Sequence, residues 1–60
     1  MTNNELKSKR LAKGLTQKEL GMLAGYGPNE TAARVSISRY EAGTVKIPRY
    51  RVESLLRALK

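Results

Sequence analysis

Residues 15–43 read LTQKELGMLAGYGPNETAARVSISRYEAG, and this stretch decides the fold. It opens with a helix start signal, because Thr16 can cap a helix and Glu19 stands at the spacing of a capping box. Apolar residues follow at helical spacing from Leu20, and Gly25 marks the end. The sequence therefore predicts a short helix that begins at Thr16 and ends near Gly25.

One residue inside this helix is unfavourable for helix formation. Gly21 stands where Ala would be the better helix former, at a cost of about 1 kcal/mol. We therefore expect another backbone to approach closely at this position.

The second half of the stretch, ETAARVSISRYEAG, has two interpretations. Val35 and Ile37 alternate with serines, as in a short strand. Ala33, Ile37 and Tyr40 follow the i, i+4, i+7 spacing of a helix, and Gly43 supplies a helix stop. A single strand would have no partner elsewhere in the chain, so the helix is favoured.

The connector between the two helices is longer than a tight turn. Gly25, Gly27 and Pro28 predict an enlarged turn. Either Asn29 or Thr31 can then cap the following helix. A cap at Asn29 would add a turn to the front of that helix.

The residues before this stretch predict another helix. Asn3 or Asn4 can cap it, the helix runs to Lys13, and Gly14 stands where a left-handed residue is wanted. Arg10 falls on its apolar face and should have an acidic partner.

The residues after the stretch predict an extended connector and a last helix. Residues 44–48 read TVKIP, and Ile47 is pushed out of the helical region because it precedes Pro48. The segment RYRVESLLRALK then carries apolar residues at helical spacing. The expected fold class is all-α, a compact bundle of four short helices, or of five, in one domain spanning residues 1–60.

The composition favours a polyanionic partner. The chain has 12 Lys and Arg against 5 acids, a net charge of +7 and a pI near 10.3. Such a surplus on so small a body indicates nucleic acid, with a role in solubility as the alternative. All the acids are Glu, and four are expected near helix N-termini, where they complement the helix dipole: Glu5, Glu19, Glu30 and Glu53.

Residue types that are missing exclude other functions. The chain has no Cys, His or Asp, so we expect no disulfide, metal, cofactor or acid–base pair, and no enzyme. No stretch suits a bilayer or a signal peptide, so we expect a cytoplasmic location, without membrane or small-molecule partners. A core of this size is marginal, so self-association is expected.

The order of three fragments, LKSKRLAKGLTQKEL, SRYEAG and PRYRVESLLRAL, resembles the lambda-repressor-like helix-turn-helix family. That family includes phage Cro and repressor proteins and the Xre-type regulators, and the resemblance covers nearly the whole chain. It implies a recognition helix at about residues 31–42, lying in the major groove. The long connector departs from the family pattern, as does the lack of a fifth helix after LLRAL.

The resemblance also implies site residues. It implies a buried salt bridge between Arg10 and Glu41, and a phosphate contact from Gln17. The helix start at Thr16 offers free N–H groups to a phosphate. Solvated surface charge is the alternative for Lys46 and Arg49, and an ordinary solvated helix residue is the alternative for Gln17. The full expected phosphate-binding set is Thr16, Gln17, Lys18, Ser36, Lys46 and Arg49.

The expected base readers lie on the recognition helix. Arg34 suits a bidentate contact to guanine, with a backbone contact as the alternative. Val35 could touch a thymine methyl group, and Arg39 could reach a base or a phosphate. The full expected base-reading set is Ala33, Arg34, Val35 and Arg39.

These features together predict a sequence-specific regulator of transcription that binds double-stranded DNA, a Cro-type repressor of a phage or prophage. It would act as a homodimer on a two-fold symmetric operator. An antitoxin or a restriction-control protein would use the same fold. A non-specific or RNA-binding basic protein is the other alternative, although the chain lacks an aromatic platform for RNA. The expected dimer contacts are Tyr50, Val52, Leu56 and Leu59.

Overall fold

The computed structural model describes residues 1–60 and consists of four α-helices, without strands. They are α1 (Asn3–Ala12), α2 (Gln17–Leu23), α3 (Glu30–Ala42) and α4 (Arg49–Ala58). The all-α prediction is confirmed, and the stretch with two interpretations is helical. The molecule measures 24 × 23 × 19 Å, and none of its helices combines the length and apolar character needed to cross a membrane.

The start of α2 is capped as predicted. Thr16 accepts the backbone N–H of Glu19 at 3.1 Å, and the Glu19 carboxylate accepts the backbone N–H of Thr16 at 2.9 Å. This second bond is the main reason why the pKa of Glu19 lies below its ordinary value. The reciprocal pair fixes the residue at which α2 begins.

The start of α1 differs from the prediction. Thr2, and neither Asn3 nor Asn4, is the cap, and it forms a second capping box with Glu5. Thr2 is the favoured cap because Glu5 stands three positions later. The Glu5 carboxylate can therefore accept the backbone N–H of Thr2. Asn3 instead lies in the first turn, and its side chain donates to the backbone carbonyl of Glu41 at 3.3 Å.

Glu53 also differs from the prediction. Glu5, Glu19 and Glu30 lie in the first turns of their helices, but the first turn of α4 holds no acid. Glu53 lies further along α4 and pairs with Arg57 at 2.8 Å on an exposed surface. The error arose because α4 begins immediately after Pro48, which places Glu53 beyond the reach of the helix end.

The start of α3 resolves the two candidate caps. Asn29 is the cap, and its side-chain oxygen accepts the backbone N–H of Ala32 at 2.9 Å. The helix therefore begins at Glu30, slightly ahead of the expected residue 31. Part of the lengthened connector has become the first turn of α3.

Tyr26 ties the start of the connector to the rest of the fold. Its ring lies edge-on to that of Tyr40, with centroids 5.9 Å apart, and its hydroxyl donates to the Tyr40 hydroxyl at 3.1 Å. The guanidinium of Arg51 lies 4.6 Å from the centre of the Tyr26 ring. Burial, and then the bond to Tyr40, raise the pKa of Tyr26 above its ordinary value. The connector is thereby held against both α3 and α4.

Each helix contributes one large, fully buried side chain to a single core. These four are Leu6, Leu20, Ile37 and Leu55. Leu59, expected at a dimer contact, belongs to this core with only 9% of its surface exposed, so that expectation was wrong. The apolar stripe of α4 is wide enough to face both the core and solvent, and Leu59 lies on the side that faces the core.

Gly21 permits the close packing of α2 against α3, as its position predicted. A Cβ atom built at Gly21 would lie 2.6 Å from the carbonyl oxygen of Ala33 and 2.7 Å from its Cβ. Neither atom belongs to a flexible side chain that could move aside. The absence of a side chain at Gly21 therefore sets the distance between the two helices.

We expect Gly21→Ala to destabilise the protein, although Ala favours a helix by about 1 kcal/mol. The clash with Ala33 should cost more than this, with a net loss of about 1–3 kcal/mol in the free energy of unfolding. Urea denaturation followed by circular dichroism measures it. Lys18→Ala, on the exposed side of the same helix, is the control and should change stability by less than about 0.5 kcal/mol. A Gly21→Ala variant as stable as the original chain would contradict the account.

Candidate nucleic-acid interface

A buried ion pair joins the first and third helices. Arg10 Nε lies 2.6 Å from Glu41 Oε2, and Arg10 Nη2 lies 3.1 Å from Oε1. The two side chains are only 10% and 5% exposed. The acidic partner that Arg10 required, and the pair that the family resemblance implied, are therefore present in bidentate geometry.

The same ion pair also gathers the start of α2. The third guanidinium nitrogen, Arg10 Nη1, donates to the backbone carbonyl of Leu15 at 2.8 Å. The side-chain amide of Gln17 donates to Glu41 Oε1 at 3.2 Å. Arg10, Leu15, Gln17 and Glu41 form what we call the anchor network, which fixes the first turn of α2 against the end of α3.

The anchor network leaves Gln17 able to make a further contact. Its amide nitrogen carries two hydrogens, and the bond to Glu41 uses one of them. Thr16 and Lys18, on either side, are exposed. The three residues expected to meet a phosphate at this helix start thus lie together, and Gln17 is held in a fixed orientation.

The exposed face of α3 differs in one residue from the expected base-reading set. Ala33 is fully buried against Gly21, so the expectation that it reads bases was wrong. Its inward position follows from the same spacing that places Ile37 in the core. Arg34 and Arg39 are exposed, and Val35 is half-buried.

Ser36 makes a local contact. It is half-buried, and its hydroxyl donates to the backbone carbonyl of Ala32 at 3.0 Å. Its hydrogen is therefore used within α3, and only its acceptor capacity remains free.

The remaining cations of the phosphate-binding set are exposed. Lys46 and Arg49 lie on either side of Ile47 and Pro48, in the connector that follows α3 and at the start of α4. Lys18 lies 3.9 Å from Glu30, across the gap between the starts of α2 and α3. Exposed cations thus lie near both ends of α3.

The apolar face of α4 retains three of the four expected dimer residues. Tyr50 is 74% exposed and Leu56 is 44% exposed, while Val52 is half-buried. Val52 and Leu56 line a shallow groove together with Met1, Ile47 and Pro48. The groove also carries charge, from Lys46, Arg49 and Glu53.

Two structural contributions escaped the sequence analysis. Asn3 supplies a bond to the last turn of α3, and no local pattern marks it. The Thr2 cap did have a signal, since Thr2 and Glu5 repeat the spacing of Thr16 and Glu19.

Comparison with known proteins adds no relative: no family model, curated protein or solved structure matches the chain.

Removal of one member of the buried pair should greatly lower the free energy of unfolding. Arg10→Met leaves the Glu41 carboxylate buried with the Gln17 amide as its remaining side-chain donor, and such a loss typically costs about 3–5 kcal/mol. Much of the population should then unfold at 25 °C, since small domains have total stabilities near the lower end of about 5–15 kcal/mol. Thermal unfolding followed by circular dichroism tests this.

The exposed pair on α4 provides the matched control for the buried one. Arg57→Met removes an ion pair whose side chains are about three-quarters exposed and should cost at most about 0.5 kcal/mol. Equal losses from Arg10→Met and Arg57→Met would show that burial of the first pair carries no structural weight.

Proposed function

We propose that this protein is a sequence-specific transcriptional regulator that binds double-stranded DNA through a helix-turn-helix formed by α2 and α3. The observation that carries the proposal is the anchor network, which holds the start of α2 in a fixed relation to α3. A helix that enters the major groove and one that crosses the backbone must keep such a relation to fit the duplex. The order of sequence motifs that resembles the lambda-repressor-like family supports the same assignment.

Phosphate binding would come from both sides of α3. At the start of α2, free backbone N–H groups and the positive end of the helix dipole favour a phosphate, and Gln17 adds an oriented amide donor. Lys46 and Arg49 would contact phosphates beyond the other end of α3. The net charge of +7 draws the protein to the duplex from a distance.

Base reading would come from the exposed face of α3. Arg34 is exposed and can donate two N–H groups from one edge of its guanidinium to guanine O6 and N7. Val35 offers a methyl surface for thymine. Arg39 lies further along the helix and can reach a base or a phosphate.

The size of the molecule supports a dimer. Its longest dimension is 24 Å, whereas successive major grooves on one side of a duplex lie about 34 Å apart. One copy can therefore place α3 in one groove, and two copies are needed for a two-fold symmetric operator. The proposed contact between the copies is formed by the apolar side chains that α4 leaves accessible, which are Tyr50, Val52 and Leu56.

In this role the protein binds DNA without catalysis, as a Cro-type repressor of a phage or prophage acting in the bacterial cytoplasm. An autoregulating antitoxin or a restriction-control protein would present the same surfaces. Non-specific binding is the competing function, and the net charge alone favours it. It predicts phosphate contacts without base reading.

The competing functions separate in a binding assay. The protein is first used to enrich a site from a pool of randomised duplexes, and its affinity for that site and for random DNA is then measured across a salt series. We expect a preference of about 10³ or more for the enriched site at physiological salt. Equal affinity for both duplexes at every salt concentration would refute the proposal.

Arg34 and Lys46 should behave differently in that assay. Arg34→Ala should lower affinity for the enriched site by about 1–3 kcal/mol and relax the preference at one base pair. Lys46→Ala should weaken binding to all sequences alike and reduce the salt slope by about one. Each variant is the control for the other, and identical effects would remove Arg34 from the base readers.

A further inference from the structure

The first turn of α3 places an acidic side chain on a surface that is otherwise basic. Glu30 is the first residue of the helix, and its side chain is 67% exposed. It stands one helical turn ahead of Arg34, on the same side of α3, because residues four apart are neighbours on a helix surface. Any ligand that Arg34 reaches therefore lies near Glu30 as well.

The only cation paired with Glu30 holds it loosely. Lys18 Nζ lies 3.9 Å from Glu30 Oε2, and the Lys18 side chain is 50% exposed. A charge-assisted hydrogen bond would be shorter, about 2.7–2.9 Å. Exposed pairs of this kind contribute little to stability, so the two side chains can separate at small cost.

DNA offers few groups that can satisfy a carboxylate. Phosphates repel it, and the major-groove acceptors of guanine and thymine offer it no hydrogen. Adenine N6 is a donor, but the N7 acceptor beside it repels the second carboxylate oxygen. The N4 amino group of cytosine is the usual donor to Glu or Asp. The N-terminal residues of a recognition helix are the ones that contact base edges, and in this chain Glu30 is the first of them.

We propose that Glu30 is a specificity-determining residue, whose carboxylate accepts a hydrogen bond from cytosine N4 while Lys18 leaves it for a phosphate. This inference rests on the proposed function. Guanine or thymine at that position would leave the carboxylate desolvated and without a donor, and adenine would set its N7 acceptor against the second carboxylate oxygen. Glu30 therefore acts chiefly by rejecting wrong sequences.

The test enriches sites from a randomised duplex pool with the protein and two variants, Glu30→Gln and Glu5→Gln. Both variants remove one negative charge, but Glu5 lies on α1, where Gln can also complete the capping box. The original chain and Glu5→Gln should select the same cytosine at one position. Glu30→Gln should lose that preference by about fivefold or more and admit adenine, because an amide can pair with adenine N6 and N7.

A second measurement compares duplexes within each protein, so that partial unfolding of a variant cancels from the ratio of affinities. The original protein is titrated with the enriched duplex and with duplexes in which that C·G pair is replaced by each other pair. We expect a loss of about fivefold or more for the original protein and a smaller one for Glu30→Gln.

The outcomes distinguish the two proposals. If the original chain enriches a site and Glu30→Gln selects it with an unchanged preference at every position, the role of Glu30 is overturned and the proposed function stands. If the original chain enriches no site, the proposed function fails, and the role of Glu30 fails with it.

Discussion

The buried ion pair between Arg10 and Glu41 is the interaction on which the arrangement of the helices depends. The burial of two charges is tolerated because each is hydrogen-bonded to the other and to a further group. Arg10 also donates to the Leu15 carbonyl, and Glu41 also accepts from the Gln17 amide. The pair joins α1 to α3 and includes the turn before α2. In a chain without disulfides and with a small core, this network does much to fix three of the four helices relative to one another.

The lengthened connector between α2 and α3 is compatible with this arrangement because other contacts set the helix spacing. Gly21 lets α2 approach the backbone of Ala33, and that contact does not depend on connector length. Tyr26 holds the beginning of the connector, and Asn29 caps its end. The extra residues therefore lead into the first turn of α3 without separating the two helices. In the proposed complex, this turn adds Glu30 to the surface that meets DNA.

The sequence predicted those parts of the fold that have local causes. Capping boxes, glycine stops and apolar spacing identified all four helices, and Gly21 indicated a close backbone approach. The position of Arg10 on an apolar helix face predicted an acidic partner, but only the family resemblance indicated Glu41. In the candidate site, the exposed position of Arg34 followed from the same spacing, whereas Lys46 and Arg49 entered the expected site only through the family resemblance.

The remaining features depend on tertiary packing. The stripe of α4 is apolar over a wide arc, and periodicity alone could not show that Leu59 faces the core while Leu56 remains exposed. Ala33 was assigned to both the inner face and the base readers, and the contact with Gly21 decides between them. The stacking of Arg51 on Tyr26 joins distant parts of the chain and has no local sequence signal.

The central claim is that α3 and the start of α2, held together by the anchor network, form the DNA-binding surface. It is tested most directly by a nuclear magnetic resonance titration of the ¹⁵N-labelled protein with its enriched duplex, read residue by residue at the backbone amides. The account predicts that the largest shifts fall at residues 16–18 and 30–39 and in the connector around Lys46. Shifts centred on α1, with α3 unchanged, would contradict it.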